Sequence, residues 1–337
     1  MTNPPPVPKS ALQGGKRRRS RTKALALVLL LLAPVAVGAA AVYVLLERDH
    51  SRSVPVASGG PAGSSALVSQ TPKTPVPPAP PAVRLDGVDA FRLHFRPQPR
   101  AALLINVGTG DVLWRHKALQ RLPIASLTKI MTAILVVEKT KADEPVRIGP
   151  SALKYQGSGV GVLPRGRKVP VERLMHGLLL VSGNDAGIAL AGHVSGNERR
   201  FVRLMNRRAR RLGLHCTHFT SAYGLQRGNR SCAADLAVLT RLAMREPRIR
   251  KIVRKRRSNL RFPVKGGRLS LYTTNPLIRS GFPGAIGLKT GYTRPAGRCL
   301  VAVARRNGRT LAAILLNSPD PGKQAAKMLK TGFGRSR

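Results

Sequence analysis

Between Ala24 and Leu46 the chain runs for 23 residues without a charge, broken only by Pro34 and Gly38, and Lys16-Arg17-Arg18-Arg19, Arg21 and Lys23 stand just before it. As a helix rising about 1.5 Å per residue, this run crosses a hydrocarbon core of about 30 Å. The cationic flank ahead of it, set against the near-neutral Glu47-Arg48-Asp49 behind it, predicts a cytoplasmic tail over 1–23, a membrane anchor over 24–46, and everything after outside the cytoplasm. A cleaved signal segment is the alternative, with Ala39-Ala40-Ala41 as the small-residue site, and the length of the run favours the anchor. A linker follows over 47–84, with eight prolines from residue 51 onward and too little apolar mass for a core. Extended as polyproline, at about 3.1 Å per residue, it reaches roughly 100 Å.

The remainder, 85–337, is long enough to bury one sizeable core. Leu103–Val107 and Val112–Arg115, split by Gly108-Thr109-Gly110, predict a hairpin, and Cys299–Arg305 with Thr310–Asn317 predict another around Asn307-Gly308. Between them come helical patterns: an apolar helix starting at Ala125, then 171–181, 185–193 and 198–212. In the last, Phe201, Val202, Leu204, Met205, Ala209 and Leu212 form one stripe and arginines the other face. Helices inserted between the first and last strands of an antiparallel sheet predict an α/β sandwich with a helical subdomain.

Three short stretches carry the chemistry: Ser126-Leu127-Thr128-Lys129, Ser182-Gly183-Asn184 and Lys289-Thr290-Gly291. At i and i+3, Ser126 and Lys129 share a helix face. A serine hydroxyl needs a base within hydrogen-bond reach, and Lys129 serves only if burial and a second cation, which Lys289 supplies, lower its pKa. Ser182 offers a hydroxyl to relay a proton and Asn184 an amide to hold a peptide group, while Lys289 and Thr290 suit an anionic substrate end. Alone each stretch is common; Ser195-Gly196-Asn197 repeats the second. Their order matches the trio of penicillin-binding proteins and class A β-lactamases.

Together with RLPIASLTKIMTA at 121–133, VSGNDAGIALAGHVSG at 181–196, FVRLMNRRARRLGL at 201–214, THF and YGL within 217–225, and GLKTGYTRPAGRCLVAVA at 287–304, the chain resembles the serine D-alanyl-D-alanine carboxypeptidases of peptidase family S11, the low-molecular-weight penicillin-binding proteins, over roughly 98–318. The resemblance implies Ser126 as acylated nucleophile, Lys129 as general base, Ser182 as proton shuttle and Asn184 as a partner of both substrate amide and lysine. It also implies Lys289 and Thr290 on the terminal carboxylate of a D-Ala-D-Ala stem peptide, with Gly291 and Tyr292 lining the cleft. The N–H groups of Ser126 and Tyr292 would form the oxyanion hole, and Arg294 and Arg298 lie just beyond, as carboxylate helpers or solvated arginines. Penicillin would be a covalent inhibitor. Between Glu198 and Asp235 there is no acidic residue, so the water-activating glutamate of class A β-lactamases has no counterpart there. Endopeptidase and transpeptidase outcomes share the acylation step and stay open. With 46 residues after Gly291, the second domain and C-terminal anchor of many relatives are not expected here.

The formal charge is +45, and with eleven basic and two acidic residues in 1–84 the rest carries 48 basic against 12 acidic, a net +36. Runs such as Lys251–Arg257 would suit nucleic acid, but aromatics are 4% of the chain and the export topology points to anionic wall polymers or lipid headgroups. A plain arginine-rich composition explains the charge equally well. Of three cysteines, Cys216 and Cys232 flank one loop region and can pair outside the cytoplasm, and Cys299 falls on an apolar strand. The scattered histidines have no metal-ligand spacing, so neither metal nor cofactor is expected; His218 is read as a structural hydrogen-bonding residue.

Overall fold

A computed structural model describes residues 82–334. The expected tail, anchor and nearly all of the linker lie outside the described residues, and among the described residues no helix is long and apolar enough to cross a membrane. Packing starts slightly before residue 85, since Arg84 pairs with Asp111 at 2.8 Å.

Five strands form one antiparallel sheet, in the spatial order Val112–His116, Ala101–Asn106, Arg309–Leu316, Gly297–Arg306 and Ala285–Thr293. The last strand in sequence lies at the centre and pairs with the first, Ala101 opposite Leu316 and Asn106 opposite Leu311. Side chains alternate between two buried faces. Leu103, Ile105, Val301, Val303, Ala312 and Ile314 meet the helical subdomain. Ala102, Leu104, Leu300, Ala302 and Leu315 meet Met328 and Leu329 of the helix Pro321–Gly334, with Phe95 and Trp114. Burial on both faces explains why these strands are unbroken apolar runs rather than alternating ones. Each large side chain so buried contributes roughly 1.5–3 kcal/mol. The hairpin at Asn307-Gly308 turns with φ of 47° and 73°, the left-handed pair that Asn-Gly tolerates.

The helices Lys129–Lys139, Val171–Leu179, Asn184–Ser195, Glu198–Arg211, Ala233–Arg245 and Pro247–Val253 lie in sequence between the second and third of these strands. The helix expected from Ala125 is corrected: Ala125–Thr128 is a 3₁₀ turn and the α-helix starts at Lys129. The cause is local, because Ala125 takes φ +46°, which no α-helix contains. On the helix Glu198–Arg211 the expected stripe faces inward, with Phe201, Met205 and Ala209 buried. The basic run 251–257 closes the helix Pro247–Val253 and opens a small outlying hairpin, Arg257–Arg261 with Arg268–Tyr272, that the sequence pattern did not predict.

Cys216 and Cys232 form a disulfide with Cα atoms 5.5 Å apart. Asp235 is their neighbour, but with both sulfurs bonded to each other its carboxylate instead accepts from Cys216 N at 2.8 Å and Thr217 Oγ1 at 2.7 Å. Cys299 is buried and its thiol pKa is raised by burial to about 11, so it packs as a small apolar residue. His218 has an exposed side chain, and its hydrogen bonds are main-chain ones, to Arg230 at 2.9 Å in both directions.

Candidate active site

The 3₁₀ turn sets the nucleophile. With about three residues per turn, side chains at i and i+3 eclipse, and Lys129 Nζ lies 2.8 Å from Ser126 Oγ. Lys129 is fully buried. Its two other neighbours are pure acceptors, Asn184 Oδ1 at 2.7 Å and the main-chain oxygen of Tyr223 at 2.7 Å. A neutral amine has two hydrogens and one lone pair. Both hydrogens therefore go to Asn184 and Tyr223, and the lone pair is left facing the Ser126 hydroxyl. Burial, then the charge of Lys289, hold the Lys129 pKa well below that of a lysine in water, with Asp185 opposing. Lys289 is also buried, and burial lowers its pKa to about 7.

Three loops hold this geometry. The first is Ser221–Gly224, pressed onto the nucleophile helix where Thr132 Oγ1 donates to Ala222 O at 2.5 Å. Gly224 has φ +89°, and a Cβ there would lie 2.0 Å from Ala125 O. Glu198 accepts from Ala222 N at 2.9 Å, and Asn229 Nδ2 donates to Ser221 Oγ at 2.8 Å. The second loop, 156–161, is fastened to the Ser-Gly-Asn corner. Asn184 N donates to Ser158 O at 2.8 Å and Asn184 Nδ2 to Gln156 O at 2.5 Å, while Asp185 accepts from Val160 N and Gly161 N, each at 2.9 Å. One hydrogen of the amide expected to hold substrate is thus engaged by Gln156. The third loop is the corner itself. Ser182 is buried with φ +63°, and its hydroxyl makes no hydrogen bond among the described residues. Left-handed backbone at a non-glycine residue costs of order 1–3 kcal/mol and clusters at functional sites; here Ala125 and Ser182 both adopt it.

The edge strand Ala285–Thr293 closes the cleft. At Gly291 a Cβ would stand 3.0 Å from Ile124 O and 3.1 Å from Ser126 N, so any larger residue would push the strand and the nucleophile turn apart by a few tenths of an ångström. Lys289 Nζ donates to Thr290 O at 2.8 Å, and Thr290 Oγ1 lies 2.7 Å from Thr274 Oγ1. Tyr292 is exposed at the mouth. Arg294 is exposed, and Arg298 donates to Pro319 O at 2.9 Å. Ser126, Lys129 and Asn184 are thus in direct contact, Lys289 acts on Lys129 through its charge, and Ser182 occupies the adjacent corner.

Tyr223, Asp185 and Thr274 were not expected. Tyr223 acts through a main-chain oxygen, so only the glycine after it hints at the tight loop. Asp185, an acid in the first turn of a helix, carries the ordinary signal of a helix start. Nothing near Thr274 in the sequence marks it.

The model of the peptidase S11 family, described as D-alanyl-D-alanine carboxypeptidase, matches residues 96–320. The chain belongs to that family. Among its S11 relatives, D-alanyl-D-alanine carboxypeptidase DacF of Bacillus subtilis is 34% identical over 247 residues, covering 71% of this chain and 63% of DacF. D-alanyl-D-alanine carboxypeptidase DacB2 of Mycobacterium tuberculosis is 32% identical, covering 68% of this chain and 81% of that protein. The chain therefore spans under two thirds of the length of the Bacillus relative and more of the mycobacterial one. The crystal structure of the Streptomyces K15 DD-transpeptidase superposes with a TM-score of 0.66 at 33% identity, over 70% of this chain and 97% of that one. The antiparallel sheet with its helical subdomain is accordingly the penicillin-binding fold.

Proposed function

We propose that this S11 protein is a serine D-alanyl-D-alanine carboxypeptidase that removes the terminal D-alanine from peptidoglycan stem peptides. The observation that carries the proposal is the buried Lys129 amine, its Nζ 2.8 Å from Ser126 Oγ and 2.7 Å from both Asn184 Oδ1 and Tyr223 O, a placement in which loss of its proton turns a lone pair toward Ser126. Lys129 takes the hydroxyl proton as Ser126 Oγ attacks the penultimate carbonyl. In this reading the oxyanion that forms is met by the N–H groups of Ser126 and Tyr292. Ser182 passes the proton to the departing amine, and Lys289 and Thr290 hold the carboxylate of the leaving residue. Water then cleaves the ester.

In this reading the N-terminal segment anchors the enzyme in the membrane with the catalytic domain outside the cytoplasm. The exposed Arg199, Arg203, Arg207 and Arg210 favour anionic wall polymers as neighbours, because a one-sided field of this kind concentrates polyanions. Penicillin would acylate Ser126 and stay. The Glu198 carboxylate, nearest in sequence to where a deacylating acid would lie, is engaged with Ala222 N. Intact mass spectrometry of the protein with penicillin, wild type beside Ser126→Ala, tests this. A one-to-one adduct that persists for hours and is lost in the variant is the expected result. No adduct on folded wild type refutes the acyl-enzyme, and rapid turnover without an adduct makes the protein a β-lactamase.

A further inference from the structure

Thr274 joins two walls of the cleft. Its main-chain N–H donates at 3.0 Å to the oxygen of Leu180, two positions before Ser182, and its Oγ1 lies 2.7 Å from Thr290 Oγ1 on the edge strand. We infer that Thr274 is a positioning residue that sets selectivity. By donating its hydroxyl hydrogen to Thr290 it leaves the Thr290 hydrogen for the substrate, and so favours a substrate end that only accepts, a carboxylate, over one that also donates, a carboxamide. The inference rests on the peptidase reading above, in which Thr290 holds the carboxylate of the leaving residue.

Hydrogen counting is the first argument. A threonine hydroxyl has one hydrogen to give and two lone pairs to receive with. Within reach of Thr274 Oγ1 stand Thr290 Oγ1 at 2.7 Å and Leu180 O at 3.3 Å. The first is the usual length of an O–H···O bond and the second is beyond it, and Leu180 O already receives the Thr274 N–H. The Thr274 hydrogen therefore belongs on Thr290. An ionised carboxylate arriving at Thr290 can only accept, so it completes a chain in which Thr274 donates to Thr290 and Thr290 to the anion. Each bond in such a chain polarises the next, and the last, to a charged acceptor, is the strongest.

Rigidity is the second argument. Thr274 is exposed, but the residues on either side of it are buried and pinned. Thr273 N donates to Arg256 O at 3.0 Å, Asn275 N donates to Thr273 Oγ1 at 3.2 Å, and Asn275 Oδ1 accepts from Leu277 N at 3.0 Å. The Thr274 hydroxyl is thus carried on a fixed stem, and it adds direction where the buried Lys289 adds charge. The Lys289 amine is turned onto Thr290 O at 2.8 Å, so its pull on an anion depends little on angle, whereas a hydroxyl bond depends on where its hydrogen points.

The test uses the full chain in detergent and compares kcat/KM for a stem pentapeptide ending in a carboxylate with that for the same peptide ending in a carboxamide, read as release of D-alanine or D-alaninamide. Wild type is expected to prefer the carboxylate. Thr274→Val removes the hydroxyl and keeps both the branched shape and the N–H bond to Leu180. It is expected to lower kcat/KM for the carboxylate peptide about fivefold, mainly through KM, and to leave the carboxamide peptide within about twofold. Thr274→Ser restores the hydroxyl and should restore the preference. Both peptides falling alike would reduce Thr274 to a structural part. That result, an unchanged ratio in Thr274→Val, a wild type without preference, or a serine variant that behaves like the valine one overturns the inference. A folded wild type that cleaves neither peptide overturns the peptidase reading itself, and the role of Thr274 with it.

Discussion

Asn184 Oδ1 stands 2.7 Å from Lys129 Nζ and accepts one of its hydrogens, so the side chain that orients the base does so without adding charge to it. An aspartate of the same shape would add that charge. Asn184→Asp is therefore expected to raise the Lys129 pKa, because an adjacent anion favours the ammonium form. Acylation by penicillin at pH 7 should drop on the order of a hundredfold and recover as pH rises. Asn184→Ala should lose activity without that recovery, and stopped-flow acylation across pH separates the two.

Two lysines with opposite duties predict a bell-shaped kcat/KM for pentapeptide. The rising limb follows loss of the Lys129 proton, since only the neutral amine is a base. The falling limb follows Lys289, whose pKa of about 7 means that its attraction for the substrate carboxylate fades above neutrality. Lys289→Arg should keep the rising limb and shift the falling one to higher pH, because a guanidinium stays charged. An unchanged falling limb would remove Lys289 from carboxylate binding.

Burying Lys289 also has a stability cost. Its folded pKa lies below its unfolded value, so between about pH 7 and 10.5 the unfolded chain holds more protons and stability rises with pH. At pH 7 and below the penalty is fully present. Lys289→Met should raise Tm at pH 7 by several degrees, in line with a penalty on the order of a few kcal/mol, while turnover is lost. A lower Tm in a thermal melt would contradict this sign.

Gly224→Ala is expected to destabilise by at least about 1 kcal/mol, and to slow acylation more than a fold-neutral change would. The left-handed backbone and the 2.0 Å approach to Ala125 O leave no space for the methyl, and relieving the clash moves Tyr223 O away from Lys129. Denaturant melts alongside penicillin acylation rates provide both readouts.

The Cys216–Cys232 bridge closes a loop of sequence separation 16, which in the chain-entropy account is worth about 3 kcal/mol. Cys216→Ser/Cys232→Ser should lower the unfolding free energy by that order in denaturant melts and leave penicillin acylation of the folded protein intact, since the bridge touches none of the site residues.

The convergence of Ser126, Lys129 and Asn184, with Lys289 close enough for its charge to act on Lys129, was legible because these side chains belong to short, ordered motifs: Ser126 with Lys129, Ser182 with Asn184, Lys289 with Thr290. The strands were legible because both sheet faces are buried and the runs around Leu103, Val301 and Ile314 carry no polar break. The 3₁₀ turn was not, because the left-handed Ala125 is imposed by tertiary packing, and nothing in Ala-Ser-Leu-Thr favours it over a helix. Tyr223 escaped for a different reason: any residue has a main-chain oxygen. Thr274 was hidden because it meets Thr290 only after the small hairpin and the short helix Pro276–Arg279 have folded back.

The pairing of Ala101 with Leu316 also sets a timetable. The strand Arg309–Leu316 is the keystone between the first strand and the other two, and it follows all four other strands of the sheet in the chain. Until it arrives, the first hairpin and the edge strands have no common neighbour, and their apolar faces stay open to other chains. A chain cut short before residue 316 is therefore expected to forfeit the whole sheet rather than one strand of it. Such long-range pairing makes folding slow, so the apolar faces of the unfinished sheet stay exposed for longer than those of a locally paired one.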